Sequence, residues 1–258
     1  MKVLSIANYK GGTGKTATAR ALGDYMASNG YQVILVDLDP QASLTMSCGY
    51  TDPVMPNMVD VVGGSKPGTK RMDQIIKPVK EGLDLAPSNL DLAVMELQII
   101  SRPGRDYIIK RSLGKVNGYD LAILDCGPNI GTLTINALVA SDAVLIPTQP
   151  SPVDLNGVKR FIEMVNMIRD EELNEDLEIL GVVLTFFNDR YNTHQSAREA
   201  MLAAEWPILD VTIGRSVRVS EAGALDQSVI EFEPNNPQAI NYIKLGKVVD
   251  KWLRNKMK

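Results

Sequence analysis

Cysteine, histidine and long apolar runs are all scarce in this sequence. Its two cysteines, Cys48 and Cys126, lie far apart and show no paired spacing, so neither a disulfide framework nor a zinc-binding pattern is indicated. Such thiols are typical of a reducing cytosol. No apolar run approaches the roughly 18 residues that span a membrane, and the chain passes from Met1 directly into an apolar stretch without a leader. We therefore expect a cytoplasmic protein.

The single histidine, His194, excludes His-based triads and His-rich metal sites, and we expect it on the surface of a helix. The net charge of −4 and the pI of about 5.2 argue against a surface coated with basic charge. They leave room for a local basic patch, because nucleic-acid affinity depends on where the cations lie.

Strand-like and helix-like segments alternate along the chain. Several strands are continuous Val, Ile and Leu runs, as in parallel strands covered on both faces. The predicted strands are 3–8, 33–37, 83–86, 121–125, 143–148, 180–186 and 208–213. The predicted helices are 15–29, 89–100, 133–140, 153–170, 193–204 and 237–256. Repeated strand–helix–strand units indicate an α/β fold, a twisted and mostly parallel sheet with helices on both faces.

One α/β domain can hold all 258 residues, and a domain of this length buries roughly three quarters of its unfolded surface. No repeat or low-complexity segment is visible, so we predict a single domain over 1–258. The stretch 49–78 is rich in Gly, Pro, Asp and Lys, and we expect it to form a surface excursion.

A glycine-rich loop follows the first strand and opens the first helix. Its sequence is Lys10-Gly-Gly-Thr-Gly-Lys-Thr16. Gly11, Gly12 and Gly14 allow a tight turn whose N–H groups, together with the helix N-terminus, cradle anionic oxygens. In such a loop Lys15 reaches the β- and γ-phosphates and the Thr16 hydroxyl ligates Mg²⁺. The loop predicts an ATP site with Mg²⁺.

This loop departs from the standard phosphate loop in two ways. Tyr9 stands where the pattern has its first glycine, and Lys10 begins the loop instead. With this second lysine the sequence resembles the ParA/MinD family of deviant Walker A P-loop ATPases. The resemblance is strongest to the Soj-like branch of ParA proteins.

Four further segments carry the same resemblance, in order along the chain. They are Asp37-Leu-Asp-Pro-Gln41, Asp125-Cys-Gly-Pro-Asn-Ile-Gly131, Pro147-Thr-Gln149 and Arg215-Ser-Val-Arg-Val-Ser-Glu-Ala222. Three glycines depart from the branch, since Gly127, Gly214 and Gly223 stand where it usually has proline. The change at Gly214 is expected to loosen the wall near the adenine.

The resemblance implies roles for single residues. It places nucleotide contacts at Lys10, Gly11, Gly12, Thr13, Gly14, Lys15, Thr16, Ala17 and Ile213. Mg²⁺ would lie near Thr16, Asp37, Asp39 and Asp125, with Asp39 orienting the attacking water. For Asp37, a helix-cap or turn role remains an alternative. Lys10 would reach the phosphates of a second subunit in an ATP-bound sandwich dimer, like an arginine finger supplied in trans, so catalysis would rest on Lys10, Lys15 and Asp39.

The resemblance also implies DNA as a partner. Soj-like proteins bind duplex DNA non-specifically through arginines that match Arg190 and Arg218, and no motif for reading bases is present. The segment 244–258 carries six basic residues and one acid, but Leu245, Val248, Val249 and Trp252 favour an ordinary docked helix there. A membrane-binding helix of the MinD type is not expected.

The function implied is a nucleoid-associated, slow ATPase that positions a cargo with a ParB-like or adaptor protein that stimulates hydrolysis. The cargo is a plasmid, a chromosome locus or a protein assembly such as a carboxysome, as with McdA. The alternatives are a MinD-like membrane-associated regulator and a metabolic P-loop enzyme. An iron–sulfur protein is disfavoured because Cys126 lacks a suitably placed second cysteine.

Overall fold

The computed structural model of the chain describes residues 1–51, 54–63 and 69–257. Within them one sheet contains eight strands in the order β3-β4-β2-β5-β1-β6-β7-β8. The strands are β1 Lys2–Ile6, β2 Val33–Leu38, β3 Lys77–Lys80, β4 Leu83–Ala86, β5 Leu121–Cys126, β6 Ala143–Thr148, β7 Glu178–Thr185 and β8 Ile208–Ile213. All neighbouring pairs are parallel except β3 and β4. The predicted α/β fold class is confirmed.

Helices cover both faces of this sheet. They are α1 Lys15–Ser28, α2 Ser43–Ser47, α3 Met58–Val62, α4 Asp91–Ile99, α5 Ile108–Leu113, α6 Thr132–Ala140, α7 Pro152–Asp170, α8 Asn192–Ala203, α9 Val217–Ala224, α10 Val229–Phe232 and α11 Pro237–Lys256, with short 3₁₀ turns at Met72–Gln74 and Arg105–Tyr107. All six predicted helices are present. The five that the sequence pattern missed, α2, α3, α5, α9 and α10, have eight residues or fewer, too few for a clear helical period.

Successive side chains of the central strands point to opposite faces of the sheet and pack into two separate hydrophobic cores. In β2, Ile34 and Val36 face the core under α3–α7, whereas Val33 and Leu35 face the core under α1 and α11. Helix α11 lies against α1 closely enough that a Cβ on Gly246 would come within 2.3 Å of the Tyr25 ring. This contact packs α11 against the helix that follows the glycine-rich loop.

The expected surface excursion at 49–78 is wrong for the residues that the structure describes. Met58, Met72 and Ile75 are fully buried in the core of the α3–α7 face, and β3 adds an antiparallel edge strand. Short elements rich in turn residues leave no periodic signal, which explains the error. The positions 52–53 and 64–68 of this stretch lie outside the described residues.

The C-terminal segment docks as predicted. Leu245, Val249 and Trp252 are buried, and Val248 is half-buried. Of the cations there, Arg254 pairs with Asp250 at 2.9 Å. No helix within the described parts of the chain is long and apolar enough to cross a membrane.

Candidate nucleotide site

The glycine-rich loop connects the central strand β1 to α1. Gly12 and Gly14 have φ values of +71° and +82°, a left-handed conformation that glycine adopts without a steric penalty. Side chains from neighbouring strand ends fix the loop. Gln149 Nε2 donates to the Gly12 carbonyl at 2.8 Å, and Thr185 Oγ1 donates to the Thr13 carbonyl at 2.9 Å. The loop is therefore held in shape by the ends of β6 and β7.

Lys15 lies inside this loop. Its side chain is only 7% exposed, and its Nζ donates to the Lys10 carbonyl at 3.0 Å. Burial lowers the pKa of Lys15, and the charge of Asp125 opposes that effect. A buried ammonium with one carbonyl acceptor gains strongly from an anionic oxygen, because charge-assisted hydrogen bonds are stronger than neutral ones.

Two carboxylates meet at the carboxyl edge of the sheet because Asp37 of β2 pairs in register with Asp125 of β5. Both are fully buried. Burial raises the pKa of Asp37 to about 7, although hydrogen bonds from Thr45 oppose the shift. Burial also raises the pKa of Asp125, and the neighbouring charge of Asp37 raises it further, whereas the charge of Lys15 opposes the shift. Two acids confined this closely favour a cation beside them.

Their hydrogen bonds distinguish the two acids. Asp37 accepts from the Thr45 amide at 2.8 Å, the Thr45 hydroxyl at 2.7 Å and the Asp39 amide at 3.1 Å. These contacts fix the turn into α2, so they favour the alternative of a turn residue for Asp37. By contrast, both oxygens of Asp125 are buried without a hydrogen-bond partner among the described residues. Unpartnered buried oxygens require an explanation, and Asp125 is the acid that a metal shell would satisfy.

The donor set around Asp125 fits Mg²⁺. Within the described parts of the chain, no group of three or more His, Cys, Asp or Glu side chains could hold a metal ion alone. Mg²⁺ characteristically keeps several waters and is held by one or two protein oxygens together with substrate phosphates. Thr16 and Asp125 meet that requirement.

Asp39 lies at the edge of the same cleft, just beyond β2. It is half-buried, and its Oδ1 accepts from the Gln41 amide at 2.9 Å. A Cβ on Gly127 would lie 3.5 Å from the Asp39 carboxyl, so the loop after β5 runs directly beside it. Among the described residues, no donor lies within hydrogen-bond distance of its Oδ2.

A cavity of about 590 Å³ extends from the loop between α1 and the end of β8. Its lining includes Ala17, Phe186, Ile213 and Val219, with Tyr242 of α11 below. The phosphate-binding loop at one end and apolar walls at the other suit a nucleotide. Ala17 and Ile213, both expected from the resemblance, line this cavity together with the loop residues.

Lys10 does not point into this cavity. Its Nζ contacts Asp154 in the first turn of α7, at 3.0 Å from Oδ1 and 3.1 Å from Oδ2. The Asp154 side chain is 1% exposed, that of Lys10 is 42% exposed, and Ser151 also donates to Asp154. No sequence motif points to Asp154 as a partner of Lys10. An acid three residues after a Ser that precedes a helix signals a helix start, but nothing in that pattern links it to Lys10.

The two expected DNA-binding arginines follow adjacent strands. Arg190 is exposed in the turn after β7, and Arg218 is exposed on α9, after β8. They differ in their partners, since Arg218 forms ion pairs with Glu221 at 2.8 Å and Glu233 at 3.4 Å. For Arg190, no carboxylate within the described residues lies close enough for an ion pair. Both stand at the sheet edge that carries the nucleotide cleft.

The expectation for His194 holds only in part. It lies on α8 but is half-buried, and its Nδ1 accepts from the Asn188 amide at 3.0 Å. Phe187 and Tyr191 pack against the imidazole. The histidine therefore stabilises the turn that presents Arg190.

Comparisons with known proteins identify the family. The AAA domain family matches residues 1–179. Over 251 residues the chain is 36% identical to the sporulation initiation inhibitor protein Soj of Bacillus subtilis, covering 96% of this chain and 98% of Soj. It is 34% identical over 254 residues to the chromosome partitioning protein ParA of Caulobacter vibrioides, covering 96% and 94%.

Among solved structures, cobyrinic acid a,c-diamide synthase of Mycobacterium smegmatis with bound ADP and magnesium has a TM-score of 0.84 at 30% identity. The match covers 97% of this chain and 95% of that one. The glycine-rich loop, the buried acids beside it and these full-length matches lead to one assignment. The chain belongs to the AAA domain family of P-loop ATPases, in the group that includes Soj and ParA partitioning proteins.

Proposed function

We propose that this chain is an ATPase that dimerises around ATP on non-specific DNA and positions a cargo. The observation that carries the proposal is the position of Lys10. A single phosphate loop already has Lys15, which is buried within it, while Lys10 lies outside the cavity and is held by Asp154 of its own chain. A second lysine at the rim of the site suits phosphates that arrive with another subunit.

ATP binding follows from the loop and its surroundings. The loop amides and Lys15 would hold the β- and γ-phosphates, and Thr16 and Asp125 would hold Mg²⁺. The metal ion supplies charge neutralisation on the phosphate oxygens. The ADP and magnesium in the Mycobacterium smegmatis structure support this assignment.

Hydrolysis requires a positioned water in line with the leaving group. Asp39 has one carboxylate oxygen bound to the Gln41 amide and the other available at the cleft edge. It would orient the water, whereas Lys10 from the second subunit would stabilise the negative charge that spreads over the γ-phosphate. The cis contact between Lys10 and Asp154 must break first, so a subunit alone would turn over slowly.

DNA would bind across the dimer through Arg190 and Arg218, and the arrangement of sites supports coupling to ATP. Both arginines follow strands whose last residues line or bound the nucleotide cavity, Thr185 of β7 and Ile213 of β8. The cargo would be a plasmid, a chromosome locus or a protein assembly. A ParB-like or adaptor protein on it would stimulate hydrolysis and release the dimer from DNA.

The test is binding of mixed-sequence duplex DNA at several salt concentrations. We expect binding with ATP and Mg²⁺, weak binding with ADP, and a steep loss as salt rises. Arg190→Ala should weaken binding and reduce the log–log salt slope by about two, because each dimer loses two phosphate contacts. Arg218→Ala should act in the same direction.

Arg71→Ala is the matched control, because Arg71 is similarly exposed, pairs with Asp73, and precedes β3, at the opposite end of the strand order from β7 and β8. It should leave DNA binding unchanged. Equal DNA binding with ATP, with ADP and without nucleotide would contradict a dimer-gated DNA surface.

A further inference from the structure

Gly214, at the end of β8, makes a contact that a proline could not make. Its N–H donates to Oε1 of Gln238, in the first turn of α11. Because a backbone N–H can only donate, this bond fixes which end of the Gln238 carboxamide carries the oxygen. The Asn241 side chain donates to the same Oε1 at 3.5 Å. The Gln238 carboxamide therefore lies against Gly214, with its oxygen at the Gly214 N–H.

Gly214 and Gln238 also approach each other so closely that there is no space for a side chain at position 214. A Cβ at position 214 would lie 2.9 Å from Gln238 Nε2 and 3.3 Å from its Cδ, closer than ordinary van der Waals contact. Any residue other than glycine would displace the carboxamide. Gly214 and Gln238 form a single unit in the wall of the cleft, and the glycine opens the space that the glutamine occupies.

This unit stands beside the apolar end of the nucleotide cavity. Gly214 lines that cavity and also a second, polar cavity of about 520 Å³ that Gln238 lines. Phe186 borders both cavities, and the Arg215 guanidinium lies 5.4 Å from the centre of its ring. Gln238 itself lines the second cavity and not the nucleotide cavity. Within the described residues its Nε2 has no hydrogen-bond partner, so its two N–H donors are available beside Gly214, which lines both cavities.

We propose that Gln238 recognises the purine base of the bound nucleotide by donating from Nε2 to a ring nitrogen, and that Gly214 is the residue that permits it. The inference rests on the proposed ATP site and names its base-specificity residue. The phosphate loop cannot distinguish one base from another, because it contacts only the phosphates. A donor fixed in orientation by a backbone amide can make that distinction, since only some ring positions of a base accept a hydrogen bond.

The experiment measures affinity for ATP, for 1-, 3- and 7-deaza-ATP and for inorganic tripolyphosphate by calorimetry. Each deaza analogue replaces one ring nitrogen by CH. The proteins are the wild type, Gln238→Met, which removes the carboxamide without adding charge, and Gly214→Ala, which keeps the carboxamide but displaces it. Tripolyphosphate reports the phosphate loop alone.

For the wild type, we expect one deaza analogue to bind about fivefold more weakly than ATP, the effect of one net hydrogen bond. In Gln238→Met and Gly214→Ala, the affinity for ATP should fall to the wild-type affinity for that analogue. The affinity of both variants for that analogue should equal that of the wild type. Tripolyphosphate affinity should be equal for all three proteins. Wild-type affinity for ATP in Gln238→Met, or an equal loss on ATP and on all three analogues, would overturn the inference. A wild type that binds neither ATP nor tripolyphosphate would instead overturn the proposed ATP site.

Discussion

Replacing Asp154 by Asn tests whether the contact with Lys10 restrains dimerisation. The substitution keeps the size of the side chain and an oxygen for Ser151, but it removes the charge that holds Lys10 at 3.0 Å. If Lys10 must leave Asp154 to reach the second subunit, this variant should form the ATP-bound dimer more readily than the wild type does.

The magnitude follows from the geometry. Two unit charges at this separation attract by about 5.5 kcal/mol at an effective dielectric constant of about 20. Because the Lys10 side chain is 42% exposed, water screens most of that attraction, and about 1 kcal/mol is a suitable net value for such a pair. That corresponds to a factor of about five for each lysine, by RT ln K. A dimer releases two such lysines, so its dissociation constant should fall about 25-fold.

The assay is sedimentation equilibrium with Mg²⁺ and a non-hydrolysable ATP analogue. Lys10→Ala is the matched variant, because it lacks the same cis contact and also the lysine itself. It should bind the analogue as a monomer but dimerise more weakly than the wild type, and it should lose partner-stimulated hydrolysis. A melting temperature for each protein controls for the loss of a favourable charge in the first turn of α7, worth about 0.3–1 kcal/mol. If Asp154→Asn dimerises no more tightly than the wild type while Lys10→Ala dimerises normally, the contact restrains nothing and Lys10 is an ordinary loop lysine.

Three further substitutions test the rest of the site and its support. Lys15→Ala should abolish ATP binding in calorimetry, because it removes the buried ammonium of the phosphate loop; unchanged affinity would remove the basis of the site. Asp39→Ala should keep ATP affinity but hydrolyse ATP slowly, and wild-type turnover would show that another group orients the water. Gly246→Ala should lower the free energy of unfolding by about 1–3 kcal/mol, because its Cβ would lie 2.3 Å from the Tyr25 ring. An unchanged denaturant midpoint would show that α1 and α11 accommodate the added methyl group without a loss of stability.

The sequence by itself determined the fold class and the phosphate loop. Both follow from local rules, since continuous apolar strands alternate with amphipathic helices, and the glycines and Lys15 act within seven consecutive residues. The alternation of Ile34 and Val36 with Val33 and Leu35 likewise predicts a strand covered on both faces, as the structure shows.

Only the tertiary structure decided the contacts between distant segments. It brought Asp154 into an ion pair with Lys10. It also bound Asp37 to the Thr45 amide in the turn before α2, whereas Asp125 has no hydrogen-bond partner among the described residues. It also formed the hydrogen bond from the Gly214 N–H to Gln238. These pairings depend on which helix crosses which strand end and at what distance, and side-chain periodicity carries no such information. The chemistry of each residue can be read locally, but its partner is chosen by the packing of the whole chain.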